Sequence, residues 1–316
     1  MEHLLPIKLA PAFKDYLWGG SKLKTNFGKK TELTPLAESW ELSAHRDGES
    51  TVLSGAFAGL TLTAYLKKVG KAVLGTAAAR FDYFPVLIKL IDAKGDLSVQ
   101  VHPDDDFAMA NEGEYGKTEM WYILDCEEGA ALYYGFSRDI TKEEYKKAIE
   151  TNTLTDILCR VPVKRGDVFF IPAGTVHAIG AGIVICEIQQ NSNTTYRVYD
   201  YGRRDKNGNK RPLHVDKALA VSTLTRAPQR ANTPKGADVL LASCPYFTVR
   251  RLRVDEALDC KVDTASFRSL VVTEGGGTIT MHERVLSFKK GDSIFIPAQN
   301  GSFTVAGSCE LILTHI

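Results

Sequence analysis

The chain of 316 residues has none of the features that would link it to nucleic acid, a membrane or an oxidising compartment. Basic residues form only the short pairs Arg203–Arg204 and Lys210–Arg211, and the net charge is +1, so no polyanion-binding surface is predicted. The six cysteines are scattered without a C-x-x-C pair, which indicates reduced, mostly buried thiols. No apolar run suits a signal peptide or a bilayer span. We therefore expect a soluble, cytoplasmic protein with no nucleic-acid, membrane or obligate protein partner.

The composition itself is that of an ordinary globular protein, with 44% apolar and 24% charged residues. The length suggests about two domains. A nearly continuous apolar run predicts a buried strand over residues 84–91, in which Lys89 is expected to extend to a sheet edge or to face a polar cavity. Helices are predicted over residues 60–69 and 141–159, the second with a capping box at its start.

Residues 97–105, LSVQVHPDD, form the most informative segment. Read as a strand, the segment places Ser98, Gln100 and His102 on one face and the two intervening valines on the other. Burying three polar groups costs free energy unless each finds a partner, so the polar face is predicted to line a polar cavity. Gln100 and His102 could both reach one ion there. A hydrogen-bonded core histidine is the alternative interpretation.

A polar loop is expected after this strand, followed by Lys117, Thr118 and Glu119 at the start of the strand MWYIL. A single glutamate at the start of a strand is usually a surface charge. Residues 166–180, GDVFFIPAGTVHAIG, then predict a strand, a sharp bend and a returning strand that begins at His177. The spacing G-x5-P-x-G-x2-H resembles the second signature of the cupin superfamily, in which this histidine meets a His and a Glu inside a small β-barrel.

The motif occurs twice. Residues 291–299, GDSIFIPAQ, repeat the form of 166–174, but no histidine follows the second bend. We therefore predict a mainly β fold of two cupin-like jelly-roll barrels with a few inserted helices. The catalytic, metal-binding domain would span residues 1–232, and a C-terminal domain without metal ligands would span residues 233–316.

Together with the segments KTE, PAGTVHAIGAG and NSNTTYRVYDYGR, the strand LSVQVHPDD resembles the short bacterial form of the type I mannose-6-phosphate isomerases (phosphomannose isomerases). The resemblance implies an enzyme that interconverts mannose 6-phosphate and fructose 6-phosphate. It also implies one divalent metal ion, with zinc the best match to the ligands and manganese, cobalt or iron as alternatives. The implied ligands are Gln100, His102, Glu119 and His177, and the implied catalytic arginine is Arg197. Thr118 departs from the proline of larger family members.

Aldose–ketose isomerisation moves a proton between C2 and C1, so the site needs a base and an electrophile. Glu187 is a candidate base, with Lys117 and a metal-bound water as alternatives, and a structural, salt-bridged role for Glu187 stays open. A phosphorylated sugar also needs cationic and hydroxyl donors. The candidate substrate-binding residues are Ser98, Lys89 and Trp18, with Lys117 and Arg197 as further phosphate candidates.

Two other functions fit part of the pattern. His102, Glu119 and His177 without Gln100 form the two-His, one-carboxylate set of iron-dependent cupin oxygenases. A non-enzymatic cupin that binds sugar phosphates would need the same barrel and the same basic residues. The lysines and arginine around the predicted site favour a phosphorylated ligand over the substrate of an oxygenase.

Overall fold

The computed structural model describes residues 4–204, 208–227 and 235–316, and these are mainly β, as predicted. The chain divides into two compact units. The terminal unit comprises Met1–Asp15, Ser21–Leu90 and Pro234–Ile316, and the central unit comprises Tyr16–Gly20 and Ile91–Thr233. The boundary predicted between residues 232 and 233 lies outside the described residues, so the two predicted domains stay a prediction.

The strands are numbered in chain order. They are β1 (Ile7–Ala10), β2 (Ala12–Lys14), β3 (Glu38–Leu42), β4 (Ala44–His45), β5 (Gly48–Glu49), β6 (Thr51–Val52), β7 (Val86–Ala93), β8 (Val99–Val101), β9 (Glu119–Cys126), β10 (Ala131–Phe136), β11 (Leu158–Pro162), β12 (Val168–Ile171), β13 (His177–Ala178), β14 (Ile183–Gln190), β15 (Tyr196–Tyr199), β16 (Asp238–Ser243), β17 (Thr248–Val254), β18 (Ala257–Val262), β19 (Arg268–Met281), β20 (Arg284–Lys289), β21 (Ser293–Ile296) and β22 (Gly301–His315).

The helices are short. They are α1 (Lys22–Thr25), α2 (Leu62–Val69), α3 (Asp105–Glu112), α4 (Lys142–Glu150), α5 (Leu154–Ile157) and α6 (Val215–Val221), with 3₁₀ turns at Lys71–Leu74 and Thr76–Arg80. The predicted capping box is present at α4, where Thr141 and Glu144 bond each other's main-chain N–H groups. No helix among the described residues has the length and hydropathy that a membrane span requires.

The terminal unit contains a sheet in the order β16-β17-β22-β19-β21-β1-β6, with β18 beside β22 and β20 beside β19. It contains a large apolar cluster that includes Leu270, Ile294, Val305 and Leu311. The central unit contains one sheet in the order β11-β10-β13-β8-β15 and, separately, the strands β12-β9-β14. None of these sheets is a closed barrel within the described part of the chain, so the prediction is confirmed as mainly β and not as two barrels.

The two copies of the repeated motif share one turn geometry. The glycine of each Gly-Asp pair has a positive φ, 86° at Gly166 and 88° at Gly291, which a side chain would disfavour. The aspartate that follows accepts a hydrogen bond from the main-chain N–H three residues earlier, at 2.9 Å for Asp167 and 3.0 Å for Asp292. The internal repeat predicted from the sequence is therefore visible as repeated local structure.

The two faces of β8 separate as predicted. Val99 and Val101 are fully buried in an apolar cluster with Tyr145 of α4 and Ala218 of α6, so helices cover this side of the sheet. Ser98 and His102, which flank the strand, are 4% and 1% exposed on the opposite side. The polar face therefore points into the central unit.

The structure corrects several predictions, among them the single helix over residues 141–159, which is the two helices α4 and α5 followed by the start of β11. The polar loop expected after residue 105 is the helix α3, which begins because the Asp104 carboxylate accepts from the Phe107 N–H at 2.9 Å. Of the two placements predicted for Lys89, the sheet edge is wrong, because Lys89 is only 4% exposed and its ammonium lies 3.8 Å from Glu38 and above the ring of Trp40. None of the six cysteines forms a disulfide, but only two are buried, since the others lie at partly exposed positions.

Candidate metal centre and active site

One row of polar side chains crosses three strands of the central unit. In the antiparallel register, Gln100 of β8 lies opposite His177 of β13 on one side and opposite Arg197 of β15 on the other. Directly opposed residues of antiparallel strands point to the same face. His177, Gln100 and Arg197 therefore project together. The Nε of Arg197 also donates to the Ser98 hydroxyl at 3.2 Å, which joins Ser98 to this row.

A second polar face comes from β9 and β14. Glu119 lies opposite Gln189, and Trp121 lies opposite Glu187. The Glu119 carboxylate meets both histidines, with Oε1 at 3.2 Å from the Nε2 of His177 and Oε2 at 3.6 Å from the Nε2 of His102. Glu119 is 0% exposed, so its interpretation as a surface charge is wrong. The polar faces of the two sheets meet at this carboxylate.

Main-chain carbonyls fix the orientation of both imidazoles. The Nδ1 of His102 lies 2.9 Å from the Thr194 carbonyl oxygen, and the Nδ1 of His177 lies 2.8 Å from that of Thr175. A carbonyl can only accept, so each Nδ1 carries the hydrogen and each Nε2 presents a lone pair toward Glu119. Burial, together with the nearby Lys117 ammonium, lowers the pKa of His177 to about 4, so this ring is neutral at neutral pH.

These atoms fit a metal ion. The ligand atoms of His102, Glu119 and His177 all lie within 4.8 Å of one another, and these three residues are buried. The side-chain amide of Gln100 lies 3.5 Å from the Nε2 of His177 and can turn its oxygen toward the same point. Two imidazole nitrogens with carboxylate and amide oxygens are a donor set that suits zinc, and the carbonyl bonds to Nδ1 are the usual outer support of such ligands.

A cationic group already lies against these donors. The Lys117 ammonium is 3.1 Å from the Nε2 of His102 and 2.9 Å from the Oε2 of Glu119, and Lys117 is only 4% exposed. The ligand atoms therefore converge at a place where a positive charge is favourable. The position of this ammonium supports a cation site independently of the spacing of the ligands. Among the described residues, no other group of three His, Cys, Asp or Glu side chains has this arrangement.

Glu187, the candidate base, lies beside the ligand group. Its Oε2 accepts from the indole N–H of Trp121 at 2.9 Å, and its Oε1 is 4.0 Å from the Lys117 ammonium. Glu187 is 3% exposed, so the structure brings a second buried carboxylate next to the first. Both candidate side-chain bases, Glu187 and Lys117, are thus adjacent to the candidate ligands.

Two other predicted residues, Trp18 and Lys89, have contacts of their own. Trp18 is 6% exposed, packs 5.5 Å from the ring of Tyr16 and accepts from the Gly95 N–H through its carbonyl oxygen. Lys89 lies in the terminal unit, where it contacts Glu38 and Trp40. The roles of Trp18 and Lys89 in substrate binding stay predictions.

Sequence reasoning missed a carboxylate that supports His102. Glu114 Oε2 accepts from the Ser192 hydroxyl at 3.3 Å, the Asn193 N–H at 3.1 Å and the Thr194 hydroxyl at 3.2 Å. It thereby holds the segment whose Thr194 carbonyl bonds His102. The polar run NSNTT is a signal for such a support, but nothing near Glu114 in the sequence indicates its partner.

A cluster of arginines near Arg197 was also missed. Asp200 accepts hydrogen bonds from the guanidinium groups of Arg203 and Arg211, with the Nε of each at 3.0 Å and 2.8 Å. Within residues 4–204, 208–227 and 235–316, the guanidinium of Arg197 bonds only neutral groups, the Ser98 hydroxyl and the Pro212 carbonyl oxygen. These arginines and Asp200 together carry three positive charges and one negative, a net charge of +2. The pair Arg203–Arg204 was visible in the sequence, but its position was not.

Comparison with known proteins gives a consistent result. Residues 6–130 match the model of the phosphomannose isomerase type I catalytic domain, and residues 238–316 match that of the mannose-6-phosphate isomerase cupin domain. Mannose-6-phosphate isomerase ManA of Bacillus subtilis is 40% identical over 317 residues, which cover 98% of this chain and 99% of that protein. Mannose-6-phosphate isomerase of Streptococcus mutans is 37% identical over 316 residues, 98% of each chain.

The three-dimensional match is equally extensive. The crystal structure of the mannose 6-phosphate isomerase from Bacillus subtilis superposes with a TM-score of 0.91 at 38% identity, over 99% of this chain and 100% of that one. The predicted cupin-type fold and the predicted family are therefore confirmed. The chain belongs to the type I phosphomannose isomerase family.

Proposed function

We propose that this protein interconverts mannose 6-phosphate and fructose 6-phosphate with the help of one divalent metal ion, zinc. The observation that carries the proposal is the convergence of two buried imidazoles, a buried carboxylate and an ammonium in one cluster, in a member of this family. Gln100, His102, Glu119 and His177 would hold the ion. When bound, the ion supplies a Lewis acid that polarises the sugar carbonyl and stabilises the negative charge that develops on its oxygen.

The protein groups around the ligands supply the proton chemistry. Glu187 would move the proton between C2 and C1 of the open-chain sugar, since its carboxylate is buried and held by Trp121 at 2.9 Å. Lys117 donates to His102 and Glu119 in this structure, so an ammonium is available to donate to a sugar oxygen. We assign it the role of a donor and Glu187 the role of the base.

Arg197 would stabilise the anionic end of the reacting sugar. Its guanidinium is half-buried, and among the described residues it forms no ion pair, so it keeps the capacity to bind an anion through two parallel hydrogen bonds. Its side chain shares a face with Gln100, one of the candidate metal ligands. Arg197 would therefore contact the enediolate oxygens, with Ser98 as its neighbour.

The phosphate would lie toward Arg203 and Arg211, which together with Asp200 carry a net charge of +1 and would attract a phosphate of about −2 at neutral pH. On this orientation, Arg211→Ala should raise KM for mannose 6-phosphate about tenfold and leave kcat and bound metal unchanged. Arg160→Ala is a suitable control, because Arg160 is an exposed arginine on β11 of the same unit. An unchanged KM in Arg211→Ala would show that the phosphate does not bind at this cluster.

The three candidate functions separate in one experiment. Purified protein is assayed for formation of fructose 6-phosphate, for metal content, and for oxygen uptake after loading with iron. The isomerase predicts turnover that a chelator abolishes and zinc restores. A two-His, one-carboxylate oxygenase predicts oxygen uptake without isomerisation, and a sugar-phosphate-binding protein predicts binding without turnover.

The finer description of the fold is part of this proposal. The central unit would be the metal-binding cupin barrel, and the strands after residue 237 would be a second jelly roll without ligands. The repeated Gly-Asp turns at residues 166 and 291 support two related barrels. The apolar core of the terminal unit supports a purely structural role for the second. A cytoplasmic location stays a prediction.

A further inference from the structure

His214 forms hydrogen bonds with Arg197 instead of capping the helix that follows it. It immediately precedes helix α6, yet its side chain does not cap that helix. Its Nδ1 instead accepts from the main-chain N–H of Arg197 at 3.1 Å, and the main-chain N–H of His214 donates to the Arg197 carbonyl oxygen at 2.8 Å. Both main-chain polar groups of Arg197 are therefore bound by one residue that lies 17 positions later in the chain.

The position of Arg197 in its sheet explains why such a partner matters. Strand β15 is the last in the order β11-β10-β13-β8-β15, so one of its edges has no neighbouring strand in this sheet. The N–H and C=O of Arg197 point to that edge, which makes Arg197 and Gln100 a pair without mutual main-chain hydrogen bonds. Side chains are closest in pairs of this kind. His214 thus takes the place of a missing strand at the residue that faces a candidate metal ligand.

The same short segment also contacts the Arg197 side chain. The carbonyl oxygen of Pro212, two residues before His214, accepts from the Arg197 guanidinium at 3.2 Å. Residues 212–214 therefore bond Arg197 at three points, two on the main chain and one on the side chain. The Ser98 hydroxyl provides the fourth contact from the opposite side. The two main-chain contacts hold the backbone and the two side-chain contacts restrict the rotamer, so the guanidinium is positioned before any ligand arrives.

The chemistry of the imidazole restricts its state. A nitrogen that accepts from a main-chain N–H must be unprotonated, so the ring is neutral when it holds Arg197. The charged groups and ring that face His214 are the Arg197 guanidinium, the Lys217 ammonium, the Glu112 carboxylate and Tyr196. Burial and the two cations lower the pKa of His214, whereas Glu112 opposes them. The surroundings therefore favour the neutral ring that the hydrogen bond needs.

We propose that His214 is a positioning residue for Arg197, and that it acts by clamping the Arg197 backbone so that the guanidinium faces the reacting sugar. The proposal rests on the proposed function of Arg197 in isomerisation. His214 itself would not touch the substrate. Loss of His214 would lower turnover more than substrate binding, because a guanidinium displaced by about 1 Å stabilises the transition state much less.

The test compares His214→Ala with His214→Asn. The alanine variant removes the acceptor, whereas the asparagine oxygen can accept the same N–H at the position of Nδ1. We expect His214→Ala to keep its metal and lower kcat about 10- to 100-fold with a small change in KM, and His214→Asn to recover kcat to within about threefold of wild type. His282→Ala, at an exposed hairpin in the terminal unit, is the matched control and should be unchanged.

Double variants separate this role from a general structural one. If His214 acts through Arg197, then His214→Ala should cause no further loss of kcat in an Arg197→Ala background. Losses that multiply in the double variant would overturn the proposal, as would a wild-type kcat in His214→Ala while Arg197→Ala is impaired. Wild-type kcat in Arg197→Ala alone would instead refute the proposed function of Arg197, so the two failures are distinguishable.

Discussion

Glu187→Gln decides between the two roles left open for this carboxylate. The substitution keeps the size and an oxygen that can accept from the Trp121 indole, which lies at 2.9 Å, but it removes the basic oxygen. If Glu187 is the base, kcat should fall about 100- to 10,000-fold, equivalent to about 3 to 5 kcal/mol of lost transition-state stabilisation. Bound metal should stay, since Glu187 does not belong to the candidate ligand group.

The effect on stability should be small. At 4.0 Å, the Coulomb attraction between Glu187 and Lys117 is about 4 kcal/mol at an effective dielectric constant of about 20. Lys117 keeps Glu119 at 2.9 Å and His102 at 3.1 Å, so its charge stays compensated in the variant. We therefore expect the free energy of unfolding to fall by only about 1 kcal/mol.

The assay measures isomerisation and, in deuterated water, incorporation of deuterium into the recovered sugar phosphate. Loss of both kcat and incorporation, with unchanged metal and Tm, identifies the base. Glu128→Gln, an exposed glutamate in the turn between β9 and β10, is the control. A kcat within threefold of wild type, with a large loss of stability, would refute the reasoning and establish the structural salt bridge instead.

Three other substitutions give independent predictions. Arg197→Lys should keep its metal and lower kcat at least about tenfold, because an ammonium cannot form two parallel hydrogen bonds; a change in KM alone in steady-state kinetics would limit Arg197 to binding. Lys29→Met should cost about 3 to 5 kcal/mol in urea unfolding, since it leaves buried Glu41 without the ammonium at 2.5 Å. Burial raises the pKa of Glu41 above its ordinary value, so the free energy of unfolding falls as the pH rises from the ordinary pKa through the raised pKa. The stability lost in Lys29→Met should therefore grow with pH, and a loss that does not depend on pH would contradict this prediction. Glu283→Gly should raise stability by about 1 kcal/mol, or Tm by about 2 °C, because φ is 62° at this hairpin residue, and a lower Tm in calorimetry would argue against it.

The sequence allowed much of the site to be predicted because its residues lie on strands. A two-residue period assigns Ser98, Gln100 and His102 to one face without further information, and the structure agrees. The hairpin at Gly166 carries its own turn signal, so the place of His177 in the chain could also be predicted. These inferences needed only local geometry.

Other features required knowledge of how distant segments meet. Asp104 is a strong N-cap, yet the polar residues after it predicted a loop and not helix α3. Glu114 bonds a residue 80 positions later in the chain, and His214 bonds one 17 positions earlier. No periodicity in the sequence indicates such partners. The placement of Lys89 stayed open because its partners, Glu38 and Trp40, come from an earlier strand.

We propose that one metal site in the central unit carries the isomerisation, and His177→Ala tests this site. Metal content and turnover of mannose 6-phosphate are measured on the same preparations of wild type, His177→Ala and the control His282→Ala. We predict one divalent ion per chain and turnover in wild type and control, and loss of both in His177→Ala with nearly normal folding, because Nε2 of this buried ring faces Glu119 at 3.2 Å. Full metal content and full turnover in His177→Ala would contradict the assignment of the site.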